Sequence, residues 1–148
     1  MAEDAAGPTR RDRDRSIDIA LWVLTLGCAT ATFWFSFVAP PPGVRLFSWA
    51  DKLQHAVAYF ATTLSFLFAG VWRPGRGNGP FVHLRRWILV AVVGVGVLIE
   101  LIQDLTPDRS AELGDVVAEA IGAGAALAVH ALVRWIVLRR AAASQDAG

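Results

Sequence analysis

An aspartate, a histidine and a tyrosine recur at four-residue spacing in the stretch W-A-D-K-L-Q-H-A-V-A-Y, residues 49–59. On a helix, Asp51, His55 and Tyr59 stack along one face. From Leu53 to Trp72 the stretch is apolar and long enough to cross a bilayer. Polar groups in that setting are costly and face a bundle interior. Two further stripes accompany the first. Glu100 and Gln103 stand at i and i+3, and Asp115, Glu119 and Gly122 at i, i+4 and i+7. Three helices each presenting one polar stripe at the same depth are expected to converge on one site.

Such a site has a limited chemistry. His55 with Glu100 or Asp115 can serve as general acid and base. The same carboxylates with His55 can instead hold a divalent cation, although the spacing assigns no particular metal or cofactor. Arg109 is suited to gripping a phosphate or pyrophosphate. Asp51, Lys52, Tyr59, Gln103 and Glu119 complete the candidate binding side. The spacing is equally consistent with these groups pairing among themselves to fix helix register, a known use of intramembrane polar contacts.

The elements that must position them follow from hydropathy. Of 148 residues, 55% are hydrophobic and mean hydropathy is +0.45, above what a domain with a full polar shell carries. Residues 1–15 are polar, with Arg10, Arg11, Arg13 and Arg15 interleaved with Asp12 and Asp14, and read as a disordered tail, with Ser16 as the cap of a first helix. Residues 19–39 are uncharged. This run is too long for a signal peptide's apolar core, and Phe37-Val38-Ala39 is a poor cleavage site. Pro40-Pro41-Pro42 ends the helix. A second helix covers residues 51–72, and R-P-G-R-G-N-G-P opens a flexible loop over 73–86. A third helix covers 87–105, spanning only if Glu100 and Gln103 turn from lipid, and Pro107 marks its exit. A fourth runs over 115–138 and is closed by Arg139 and Arg140. His130 reads as a packed or snorkelling residue and His83 as a loop residue.

The expected fold is all-α: a four-helix transmembrane bundle over residues 16–140, with short tails at 1–15 and 141–148. A soluble bundle would need continuous polar faces that helices one, two and four lack. Trp22, Trp49, Trp72, Trp87 and Trp135 near the ends of the runs suggest an interfacial belt. Eleven of the fourteen Lys and Arg fall in the N-terminal tail, the 73–86 loop and the end of helix four. By the positive-inside rule both termini are cytoplasmic, which puts the chain in the cytoplasmic (inner) membrane with the polar site facing outward. The net charge of +1 and the lack of a basic, aromatic-studded stripe exclude nucleic acid as a natural partner. Membrane lipids are the implied partners, and no oligomeric state is indicated. Cys28 is alone, so it forms no intramolecular disulfide.

Together, D-K-L-Q-H-A-V-A-Y, E-L-I-Q and P-D-R-S-A-E-L-G-D-V-V-A-E-A-I-G resemble the VanZ-like family of small bacterial membrane proteins. The matching positions are Asp51, Lys52, His55, Tyr59, Glu100, Gln103, Pro107, Arg109, Asp115 and Gly122, within residues 49–124. The family pattern usually has Asn where this chain has Glu119. The family is named for a protein linked to resistance against the glycopeptide teicoplanin, which acts on cell-wall precursors outside the membrane. The resemblance implies an envelope role: binding or processing a lipid-linked precursor, as an enzyme or as a binding protein. A small transporter or ion pathway, or a non-catalytic scaffold, are the alternatives from other classes. Beyond Tyr59, helix two offers only Thr62, Thr63 and Ser65 as polar residues, sparse for a conducting path.

Overall fold

The computed structural model describes residues 9–37, 49–105 and 112–146. Four α-helices make up nearly all of it: α1 (Arg10–Phe37), α2 (Ala50–Phe66), α3 (Ile88–Gln103) and α4 (Leu113–Asp146). A five-residue π-helical turn, Leu67–Val71, prolongs α2, and a 3-10 turn, Val82–Trp87, leads into α3. Three helical segments are long and apolar enough to cross a membrane: Arg10–Phe37, Val82–Gln103 and Leu113–Asp146. Their burial within the chain is low, only 11% of the apolar window in the first. Val23, Leu26 and Trp34 on α1 are each more than 60% exposed. A contiguous apolar surface of that size is not stable against water. The protein therefore has the character of an all-helical membrane protein, its outer faces covered by lipid.

The helices run alternately up and down. Ser36 near the end of α1 meets Gln103 at the end of α3, and the start of α2 meets the start of α4 through Lys52 and Asp115. At the opposite end Asp18 of α1 pairs with Arg73, and His130 of α4 reaches Trp72. α2 is the central element, packed on α4 along one side and α1 along the other, while α3 packs on α4. The α2–α4 seam is close because Gly122 lies directly on the Ala56 backbone carbonyl. Small residues allow this approach, and van der Waals packing is what holds helices together in lipid. A hydroxyl pair, Thr32 and Thr62 at 3.0 Å, joins α1 to α2 halfway along.

Several details depart from the sequence expectations. The first helix begins at Arg10, so residues 10–15 are not a disordered tail. Thr9 caps it: its hydroxyl accepts from the Asp12 amide at 3.2 Å, and the Asp12 carboxylate accepts from the Thr9 amide at 3.2 Å. This reciprocal arrangement satisfies two donors that a helix start leaves open. Ser16 instead donates to the Asp12 carbonyl inside the helix. The 73–86 segment is not a featureless loop. β1 (Trp72–Arg73) and β2 (Gly77–Asn78) form a two-rung antiparallel hairpin. Its turn needs left-handed backbone at Gly75 and Gly77, both at φ +82°, which glycine adopts without penalty. Arg73 and Arg76 both pair with Asp18, and Arg73 also donates to the Asp14 carbonyl, so the hairpin clamps the start of α1. The fourth helix runs on through residues 139–146, past the expected stop. Trp72 is buried rather than interfacial, its ring edge-on to His130 and beneath the Arg134 guanidinium. Glu100 and Gln103 do turn away from lipid, each 3% exposed. The proline break at 40–42 and Pro107 lie outside the described residues.

Candidate functional site at the polar end of the bundle

The three stripes meet between α2, α3 and α4 in tiers. The outermost tier is an ion cluster. Lys52 Nζ lies 2.5 Å from Asp115 Oδ1, 2.5 Å from Glu112 Oε2 and 3.9 Å from Asp51 Oδ2. Its aliphatic stem crosses the start of α4 at Gly114, where an added Cβ would come within 2.9 Å of Lys52 Cε. Asp115 is buried, whereas Asp51 is exposed and stands at the rim. Lys52 precedes the apolar stretch that begins at Leu53. Partial burial opposes its charge, but the hydrogen bonds it donates to Asp115 and Glu112 outweigh that and hold its pKa above the ordinary lysine value.

One turn deeper, His55 Nδ1 is 3.1 Å from Glu119 Oε1. Glu119 is wholly buried, and its other oxygen, Oε2, has no hydrogen-bond partner. That oxygen sits against Gly96 of α3, where a methyl group would overlap it. Glu100 on the same face of α3 accepts from the Glu112 amide at 3.0 Å through Oε2, leaving Oε1 buried without a partner. One donor atom each from His55, Glu100 and Glu119 lies within 4.8 Å of the other two, and the same holds for Asp51, His55 and Asp115. Tyr59 forms the floor. It is buried, and its hydroxyl has no hydrogen-bond partner. Gln103 donates to the Ser36 carbonyl, which ties α3 to the end of α1.

An imidazole held at one nitrogen by a buried carboxylate has a fixed ring orientation, the arrangement a general base requires. In this chain the orienting carboxylate is Glu119, while Asp115 is engaged by Lys52. The sequence pattern placed Glu119 on the binding side and gave no part to Glu112, whose contact with Lys52 needs the start of α4 laid across α2. Its available signal was position: an acidic residue three before Asp115, at a helix N-terminus that favours negative charge. Arg109 lies outside the described residues. The other charged groups named here are therefore five carboxylates, Asp51, Glu100, Glu112, Asp115 and Glu119, facing one lysine.

No family model, curated protein or solved structure matches this chain.

An apolar groove lies beside the site. α1 and α3 stand apart along the face of α2, leaving an apolar cavity of about 490 Å³. Thr25, Ala29 and Phe33 of α1 line one wall and Ala91, Val95 and Ile99 of α3 the other, with Tyr59 on the floor. The volume is in the usual range for small-molecule sites. Tyr59 thus borders both the apolar groove and the Glu119 tier.

Proposed function

We propose that this protein is a VanZ-like envelope protein that binds a phosphate-bearing lipid, its hydrocarbon chain in the α1–α3 groove and its headgroup at the His55–Glu119 tier. The observation that carries this reading is that one buried residue, Tyr59, borders both an apolar groove and the buried polar tier. An amphipathic ligand matches that change of character. His55, oriented by Glu119, is the group for acid–base work on the headgroup, and Arg109 is the sequence's candidate for the phosphate. α4 argues against an ion pathway. Between Glu119 and His130 its buried residues are Gly122, Ala123 and Ala126, which give an ion no charged relay.

Filling the groove tests the reading. Val95→Trp places a large ring on the α3 wall, away from the polar tiers. Lipid retained by the detergent-purified protein, measured by mass spectrometry of an organic extract, is expected to fall sharply while helical content is unchanged. Equal retention would show that the groove does not hold the ligand.

In this proposal all four helices cross the membrane, both termini are cytoplasmic and the polar tier faces outward. Support comes from the basic residues, since Arg73, Arg76, Arg85 and Arg86 all sit at the end of the bundle opposite Lys52 and Asp115. In a Cys28→Ala background, a cysteine at the exposed Leu113 should react with an impermeant thiol reagent in intact cells. One at the exposed Asn78 should react only after lysis. The reverse pattern would place the site on the cytoplasmic side.

A further inference from the structure

We infer that His55, Glu100 and Glu119 form a binding site for one divalent transition metal of the zinc class. Two buried carboxylates lie within 4.8 Å of each other and of the imidazole. Neither makes an ion pair with a Lys or Arg among the described residues, because Lys52 is taken by Asp115, Glu112 and the more distant Asp51. Each keeps one oxygen without a partner, Oε1 on Glu100 and Oε2 on Glu119, in positions 3% and 0% exposed. A buried carboxylate oxygen left unpaired is expensive, and two adjacent like charges in a low-dielectric interior compound the cost. With His55 neutral, a divalent ion cancels the two carboxylate charges and gives the unpaired oxygens their partner.

The donor set narrows the ion. Calcium and magnesium take oxygen ligands, whereas one imidazole with two carboxylates suits zinc, manganese or iron. Three protein donors also leave a coordination position open, the mark of a reactive rather than a structural zinc site. Gly96 is what makes room, since any side chain there would displace the Glu119 carboxylate. The second triad, Asp51, His55 and Asp115, is weaker. Asp51 is exposed, and Asp115 already neutralises Lys52. The metal site stands on its own ligands, and only its use rests on the lipid reading; with the ion bound, His55 and Glu119 act as its ligands, and the acid–base role of His55 belongs to the metal-free protein. A cation there neutralises the acidic field of the tier, which would otherwise repel a phosphate.

The test is metal binding by the full chain, purified in detergent and stripped with chelator. Zinc is titrated against a chromophoric competitor, and cobalt is added separately to read the visible absorption of a low-coordinate site. About one equivalent per chain is expected. Glu100→Gln and Glu119→Gln keep side-chain shape and remove charge, so both should retain the helical circular dichroism of the parent. Each should weaken binding by at least the roughly 10–100-fold that loss of an outer-shell partner costs, and His55→Gln likewise. His83→Gln, at an exposed histidine far from the tier, should bind as the parent does. No binding by the parent, or unchanged binding by a Glu100→Gln/Glu119→Gln double variant, would overturn the site. Loss confined to Asp51→Asn and Asp115→Asn would overturn it too, by moving the ion to the outer triad. Lipid retention is scored on the same samples. Metal without lipid would sink the lipid reading and keep the site, and lipid without metal would do the opposite.

Discussion

Gly122→Val should abolish accumulation of the folded protein, whereas Gly124→Ala two residues away should leave it intact. A Cβ at residue 122 would overlap the carbonyl oxygen of Ala56 and come within 2.9 Å and 3.0 Å of that residue's carbonyl carbon and Cα. Every one of these is a backbone atom in the middle of α2. No rotamer change relieves the clash, so α2 and α4 must separate. Overpacking a core typically costs about 1–3 kcal/mol when side chains can shift, and more is expected where only backbone can give. The damage would spread along the seam, because α2–α4 contact also brings His55 to Glu119 and Lys52 to Asp115. At Gly124 an added Cβ meets nothing within 4 Å, so alanine there should be neutral or gain the roughly 0.5–1 kcal/mol that separates alanine from glycine in a helix. Yield of monodisperse protein and thermal unfolding in detergent read both variants. Folding of Gly122→Val at the parent's stability would show that the two helices are not in close contact.

Lys52→Met should destabilise the protein strongly, and the added change Asp115→Asn should recover much of the loss. The single variant keeps the aliphatic stem over Gly114 but leaves the buried Asp115 carboxylate without its cation. Removing one member of a buried pair typically costs about 3–5 kcal/mol, because the other charge stays desolvated. The Lys52 side chain keeps 21% of its surface exposed, which places the effect at the lower end of that range. An exposed pair would contribute only about 0–1 kcal/mol. Unfolding midpoints of the parent, the two single variants and the double variant form a cycle that isolates the coupling. Coupling below about 1 kcal/mol would mean that the outer tier is solvated and free to bind other groups.

The sequence shows the helices because each contains a long apolar stretch, and it shows the polar stripes because their spacing is helical. What it could not show depends on tertiary contacts. Residues 10–15 look like a tail by composition, yet Thr9 and Asp12 form a capping pair, and the hairpin arginines grip Asp14 and Asp18 of the same helix. The hairpin itself escaped notice because its strands are two residues each, too short for any alternation. Gly94, Gly96, Gly122 and Gly124 are alike in sequence, each a small residue in an apolar stretch. Only Gly96 and Gly122 meet another helix, while Gly94 and Gly124 face open space. Which glycine packs depends on the rotation of each helix about its axis, and that is weakly encoded where apolar residues surround the helix. The α1–α3 groove was invisible for a related reason: it exists because two helices joined at the Ser36–Gln103 end stand apart along the rest of the α2 face.

The proposed function puts a lipid in that groove with its headgroup at the His55–Glu119 tier. Its most direct test is site-specific photocrosslinking in native membranes. A photoreactive side chain replaces Val95, which lines the groove, or Val90, which is exposed on α3 and does not line it. Crosslinked species are then identified by mass spectrometry. At Val95 the account predicts strong enrichment of one class of phosphate-bearing lipid over its share of the membrane, lost on Glu119→Gln, with only bulk lipids captured at Val90. The same bulk mixture at both positions would contradict it.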